Sequence, residues 1–149
     1  MILNLFNKEN NKDNNPENNL IKIVALLIHA AKIDENYTKK EKKIIFNFIE
    51  IFSKKKKKEI NENEIENLIK TAEEYEKNSN HILEFTKEAK KMDLKTKKII
   101  LEALWNIVLS DKKSGIYESN LMRRVCGLLY FSDKLSGEIK LNILKGKKL

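Results

Sequence analysis

Apolar residues recur along this chain at helical spacing in block after block. Leu20, Ile23, Val24, Leu27, Ile28 and Ala31 fall at i, i+3, i+4 and i+7, behind Asn15-Pro16-Glu17, which reads as N-cap, first helical position and acidic first turn. The pattern breaks near Ile33–Tyr37. Thr38-Lys39-Lys40-Glu41 then forms a capping box before the stripe Ile44, Ile45, Phe48, Ile49 and Phe52. Asn61-Glu62-Asn63-Glu64 starts a third helix, with Ile65, Leu68, Ile69, Ala72 and Tyr75 on one face. A short helix is predicted over 80–91, with Ile82, Phe85 and Ala89 inward. Asp93 caps a helix carrying Ile99, Ile100, Ala103, Leu104, Ile107 and Val108. After a break at Asp111–Gly115 comes a helix with Leu121, Met122, Val125, Cys126, Leu128 and Leu129. Ser132-Asp133 caps the last helix, with Leu135, Ile139 and Ile143. No run alternates with period two. The expected fold is all-α, with about seven helices.

Composition agrees and narrows the function classes. The 149 residues suit one domain, and one Pro and four Gly are too few for the turns of an all-β chain. Residues 7–15 are Asn, Lys, Glu and Asp only, so 1–15 read as a flexible leader, 16–145 as the domain and 146–149 as a basic tail. One Cys and two His exclude a disulfide framework and a multi-cysteine metal site. The longest apolar run, Ile23–Ile28, is far short of the roughly 20 residues that span a bilayer. The expected compartment is the cytoplasm.

The formal charge of +8 raises nucleic acid or an anionic membrane as partners. Only Arg123 and Arg124 are Arg, however, and base readout and bidentate phosphate contacts favour Arg, so nucleic acid is disfavoured. Lys54–Lys58 lies where a helix C-terminus attracts cations, and seven acids between Glu59 and Glu76 are expected to neutralise part of it.

The two breaks resemble each other. In Ala31-Lys-Ile-Asp34 through Glu41, and in Leu109-Ser-Asp111 through Glu118, an apolar helix ends at an Asp and a Glu follows seven residues later. Both pairs are offset by 77 residues, which suggests two related helix–loop–helix halves. If the halves face each other, Asp34, Glu41, Asp111 and Glu118 form an oxygen-rich site suited to a hard divalent cation such as Ca²⁺, Mg²⁺ or Mn²⁺. The alternative is a set of separate caps, and the Thr38 capping box alone accounts for Glu41. Neither loop is an EF-hand: the sixth and twelfth positions counted from Asp34 are Lys39 and Ile45, where Gly and Glu belong. His29 and His81 read as hydrogen-bonded residues rather than ligands. Cys126 reads as a buried structural thiol and Trp105 as core. Tyr117 either lines the acidic site or covers it. No Ser/His/Asp or Cys/His set and no phosphate loop is present.

The residues Ala25-Leu-Leu-Ile-His-Ala-Ala-Lys-Ile-Asp34 with Glu41, then Phe85-Thr86, then Glu102-Ala-Leu-Trp105 through Asp111, Glu118 and Leu121-Met-Arg-Arg-Val125 resemble the TerB family of tellurite-resistance B proteins and their relatives. The resemblance covers roughly residues 20–135. It implies a helical fold in two similar halves and an acidic site suspected of binding a cation, here Asp34, Glu41, Asp111 and Glu118. It also implies a link to tellurite and chemical stress, protein partners that are often membrane-associated, and no enzymatic activity. The family usually has Gly after each Asp. Here Glu35 and Lys112 stand there, and Lys112 and Lys113 add positive charge that works against tight cation binding. Two other classes stay open. One is a Lys-rich adaptor for an anionic membrane, nucleic acid or protein, with Ile2, Leu3, Leu5 and Phe6 as a weak anchor. The other is a metal-dependent hydrolase built on the four acids.

Overall fold

The computed structural model describes residues 16–33, 37–78, 82–110 and 116–148, except for the side chains of 16–17, 82, 116–118 and 147–148. Among these residues all the regular secondary structure is helical. The helices are α1 (Pro16–Ala31), α2 (Lys39–Lys55), α3 (Glu62–Asn78), α4 (Ile82–Thr86), α5 (Leu94–Ser110), α6 (Ile116–Leu128) and α7 (Asp133–Lys148), with a 3-10 turn at Ala89–Lys91.

The helix starts follow from local chemistry. Thr38 N–H donates to Glu41 Oε1 at 2.8 Å and Glu41 N–H to Thr38 Oγ1 at 3.2 Å, so the box is closed in both directions. Asn61 and Glu64 repeat the exchange at 3.3 and 2.8 Å. Thr96 N–H donates to Asp93 Oδ1 at 2.9 Å, and Lys134 N–H to Ser132 Oγ at 3.1 Å. Each bond satisfies a backbone donor that the first turn leaves orphaned. Hydrogen bonds from Thr96, through its side chain and its backbone, hold the Asp93 carboxyl at about 2, below its ordinary value.

α1 is the central element. Ile23, Val24, Ala25, Leu26, Leu27 and Ile28 are all fully buried, so α1 is apolar all round over this stretch. It packs against α2, α3, α4 and α5; α2 lies on α5, α4 touches α6, and α7 closes over α5 and α6. Trp105 of α5 is buried as expected, and its indole N–H donates to Ser136 Oγ of α7 at 2.9 Å. Cys126 is buried and free, and burial raises its thiol pKa.

Three expectations change. The helix expected over 80–91 is divided: α4 stops at Thr86, and a turn leads into the 3-10 segment. Phe85, Thr86, Glu88 and Ala89 are buried on both sides of this break. The tail expected from 146 continues as helix to Lys148. The acids of α3 do not neutralise Lys54–Lys58 by ion pairing. Lys55 reaches Asp93 at 3.4 Å and Thr96 at 2.6 Å instead, tying the end of α2 to the start of α5. Glu73 and Glu76 pair with Lys42 and Lys32.

Two helices end in a left-handed residue that is not Gly. At the end of α2, Lys57 N–H reaches Lys54 O and Lys58 N–H reaches Ser53 O, both at 2.9 Å, with Lys57 at φ 56°. At the end of α6, Tyr130 stands at φ 54° in the same pattern. This double-bonded ending favours Gly, and an L side chain there is strained. Lys57→Gly is expected to raise stability by about 0.5–1 kcal/mol, the relieved strain exceeding the added unfolded-state entropy. Urea denaturation measures it, and a loss of stability would contradict the strain.

Candidate functional site

Both Glu of the repeated pattern occupy the same helical position. Glu41 is the third residue of α2 and Glu118 the third residue of α6. Asp34 and Asp111 fall outside the described residues, between the ends of α1 and α5 and the helices that follow. The side chain of Glu118 is also outside them, as are His81 and the side chain of Tyr117. Of the four acids, Glu41 alone has a described side chain, and it is 3% exposed.

Glu41 lies in an acidic corner that joins the end of α1, the start of α2 and the end of α3. Tyr37 stands there with its Oη sealed from solvent. Glu73 is the carboxylate that acts on Tyr37 most strongly, in a geometry too loose for a regular hydrogen bond. Burial pushes the Tyr37 phenol well above its ordinary pKa, and the charges of Glu73, Glu41 and Glu76 add to the shift. Lys42 sits 5.1 Å over the Tyr37 ring and 3.5 Å from Glu73. Glu76 is 6% exposed, taking Lys32 Nζ on Oε1 at 2.8 Å and facing His29 Nδ1 across 3.3 Å at Oε2. The opposite charges answer the desolvation of that carboxylate. The His29 ring rests against Phe85, which also meets Tyr75. His29 is thus the hydrogen-bonded residue its position suggested.

Tyr37, Glu73 and Glu76 are the site residues missed by sequence reasoning. A signal for Glu76 was present: it continues the buried stripe Ile65, Ile69, Ala72 at i+4, where an apolar residue belongs. Glu41 likewise precedes Ile45 and Phe48 by four and seven residues on the core face of α2. A carboxylate on a core stripe is a stronger pointer than one in a loop.

Among the described residues no three His, Cys, Asp or Glu side chains are grouped so that they could hold a metal ion. Glu41, Glu73 and Glu76 surround Tyr37 rather than a common point.

A family model described as tellurite resistance protein TerB matches residues 20–141. The chain belongs to the TerB family. The match spans α1 through most of α7, so every helix of this TerB domain falls within it in whole or part. No curated protein and no solved structure matches the chain significantly. In this TerB domain no described helix is long and apolar enough to cross a membrane.

The tyrosines give this TerB domain a signature at alkaline pH. Burial first, and then Glu84, which accepts from the Tyr75 hydroxyl at 3.3 Å, push the Tyr75 phenol up to about 12. Between about pH 10 and the folded value, the unfolded chain releases a proton that the folded chain keeps. Stability is therefore full below about pH 10 and falls above it, through about pH 12 for Tyr75 and beyond for Tyr37. Tyr37→Phe/Tyr75→Phe is expected to flatten that fall in denaturation curves taken at about pH 9 and 11. Equal slopes for the variant and the parent would contradict the assignment.

Proposed function

We propose that this TerB domain is a non-enzymatic binding module whose acidic corner takes a divalent cation through Asp34, Glu41, Asp111 and Glu118. The burial of Glu41 carries the reading. The same capping-box chemistry occurs twice in this chain, and in the second case Glu64 stays exposed. Capping therefore accounts for the hydrogen bonds between Glu41 and Thr38 but not for the 3% exposure of Glu41 among other carboxylates. Glu41 thus stands buried at the head of the helix that follows the first break, where its carboxylate oxygens suit a hard cation shared with the second break. The module acts in the cytoplasm, in response to tellurite or related chemical stress, together with protein partners that include membrane-associated ones. The sequence offers no nucleophile beside a base, so the reading is binding rather than hydrolysis.

Terbium luminescence tests the reading, because Tb³⁺ takes Ca²⁺-type oxygen sites and Tyr37 is at hand to sensitise it. Saturable emission is expected from the parent, displaced by Ca²⁺ and lost in Asp34→Asn. Emission unchanged in that variant would reject the site.

One observation favours a second reading, a Lys-rich adaptor for an anionic surface. Lys39, Lys40 and Lys43 are exposed in the first turns of α2, where the helix dipole disfavours cations. Their place is better explained by an external anion than by the fold. Binding to anionic vesicles that falls steeply with salt is the expected mark of it.

A further inference from the structure

At the end of α1 remote from the acidic corner, a groove of about 390 Å³ opens between the start of α1, the end of α2 and the first half of α3. Its apolar lining is Leu20, Ile21, Phe52, Ile60 and Leu68. Ile21 and Ile60 are only partly buried there. Lys56, Lys58, Glu59 and Glu64 form a mixed-charge rim. We propose that this groove is the docking site of the chain's own segment Ile2, Leu3, Leu5 and Phe6.

The position of the segment in the chain carries the assignment. The described structure begins at Pro16, one helical turn before Leu20 and Ile21, which line the groove. Nine residues, and so ten Cα–Cα steps, separate Phe6 from Pro16. A flexible chain of that length spans roughly 17 Å on average and about 33 Å at full extension, enough to reach the groove from the start of α1. Residues 7–15 contain no apolar side chain that could compete for it. The four apolar residues before them match the lining in kind. Tethering places the segment at an effective concentration of millimolar order, so a groove–segment Kd of about a millimolar keeps it docked half the time. A groove of this size lies in the range that accepts a few large side chains. The mixed rim neither attracts nor repels the near-neutral linker, so selection falls to Leu5 and Phe6.

Methyl-labelled full-length protein tests this directly. Nuclear Overhauser contacts are expected from the Phe6 ring to the methyls of Ile21 and Ile60, unchanged on dilution and absent in Leu5→Glu/Phe6→Glu. Trypsin cleavage after Lys8 and Lys12 is expected to be about twofold faster in that variant, because cleavage follows the open population. The substitutions lie outside the described helices, and an unchanged helical circular dichroism spectrum of the variant is the control for folding. Absence of the contacts with equal cleavage rates would overturn the proposal. So would contacts that fade on dilution, since they would place the segment on a second copy.

Discussion

Replacing Phe85 with Ala is expected to destabilise the protein by about 3–5 kcal/mol, the usual cost of removing a buried ring. Phe85 is fully buried, and its ring meets His29 at 5.9 Å and Tyr75 at 5.7 Å between centroids. The loss combines apolar transfer, the cavity and two tilted aromatic contacts. α4 has five residues, too few to hold a helix alone, so Phe85 is what fixes it to the body. The anchored element touches α1 and α6, and so links the helix before the first acidic break to the helix after the second. For a chain of this size the expected fall in Tm is about 6–20 °C. Phe85→Leu keeps most of the volume and is expected to cost about 1–1.5 kcal/mol. Urea denaturation of both variants measures the difference. A loss below about 1 kcal/mol for Phe85→Ala would mean that α4 contributes little to the fold.

The second large effect is ligand-linked stability. A cation that binds the folded chain alone, at a hundred times its Kd, adds about 2.7 kcal/mol. At about 2–4 °C per kcal/mol for a domain of this size, Tm is expected to rise by about 5–11 °C. The shift is expected to be lost in Asp34→Asn/Asp111→Asn, measured against the variant's own apo Tm. An equal rise in the variant would place the cation elsewhere, and no rise in the parent would argue against the site. Lys112 and Lys113 beside Asp111 set a weaker Kd than four bare carboxylates would, so the titration must extend to millimolar cation.

The parts of the fold that local chemistry decides were legible in the sequence. Both capping boxes, the Asp93 and Ser132 caps and the stripes of α1, α2, α3 and α5 depend on neighbours within four residues. The division of 80–91 was not legible, because Phe85, Glu88 and Ala89 keep the i, i+3, i+4 spacing of one unbroken helix and the sequence carries no Gly or Pro to mark the break. The corner was half legible. Glu41 follows from the repeated Asp–Glu spacing, but Tyr37, Glu73 and Glu76 meet it only through tertiary packing, as the 47-residue separation of His29 and Glu76 illustrates. The charged residues at core positions 41 and 76 were visible marks of that packing.

Calorimetric titration of chelator-stripped protein with Ca²⁺, Mg²⁺, Mn²⁺ and Zn²⁺ tests the acidic corner most directly, with Asp34→Ala/Asp111→Ala as the control. Saturable binding of at least one hard cation, Ca²⁺, Mg²⁺ or Mn²⁺, in preference to Zn²⁺, is expected in the parent and is expected to disappear in the folded variant. Failure of all four to bind, or binding that survives in the variant, would contradict this site and leave these acids as helix caps.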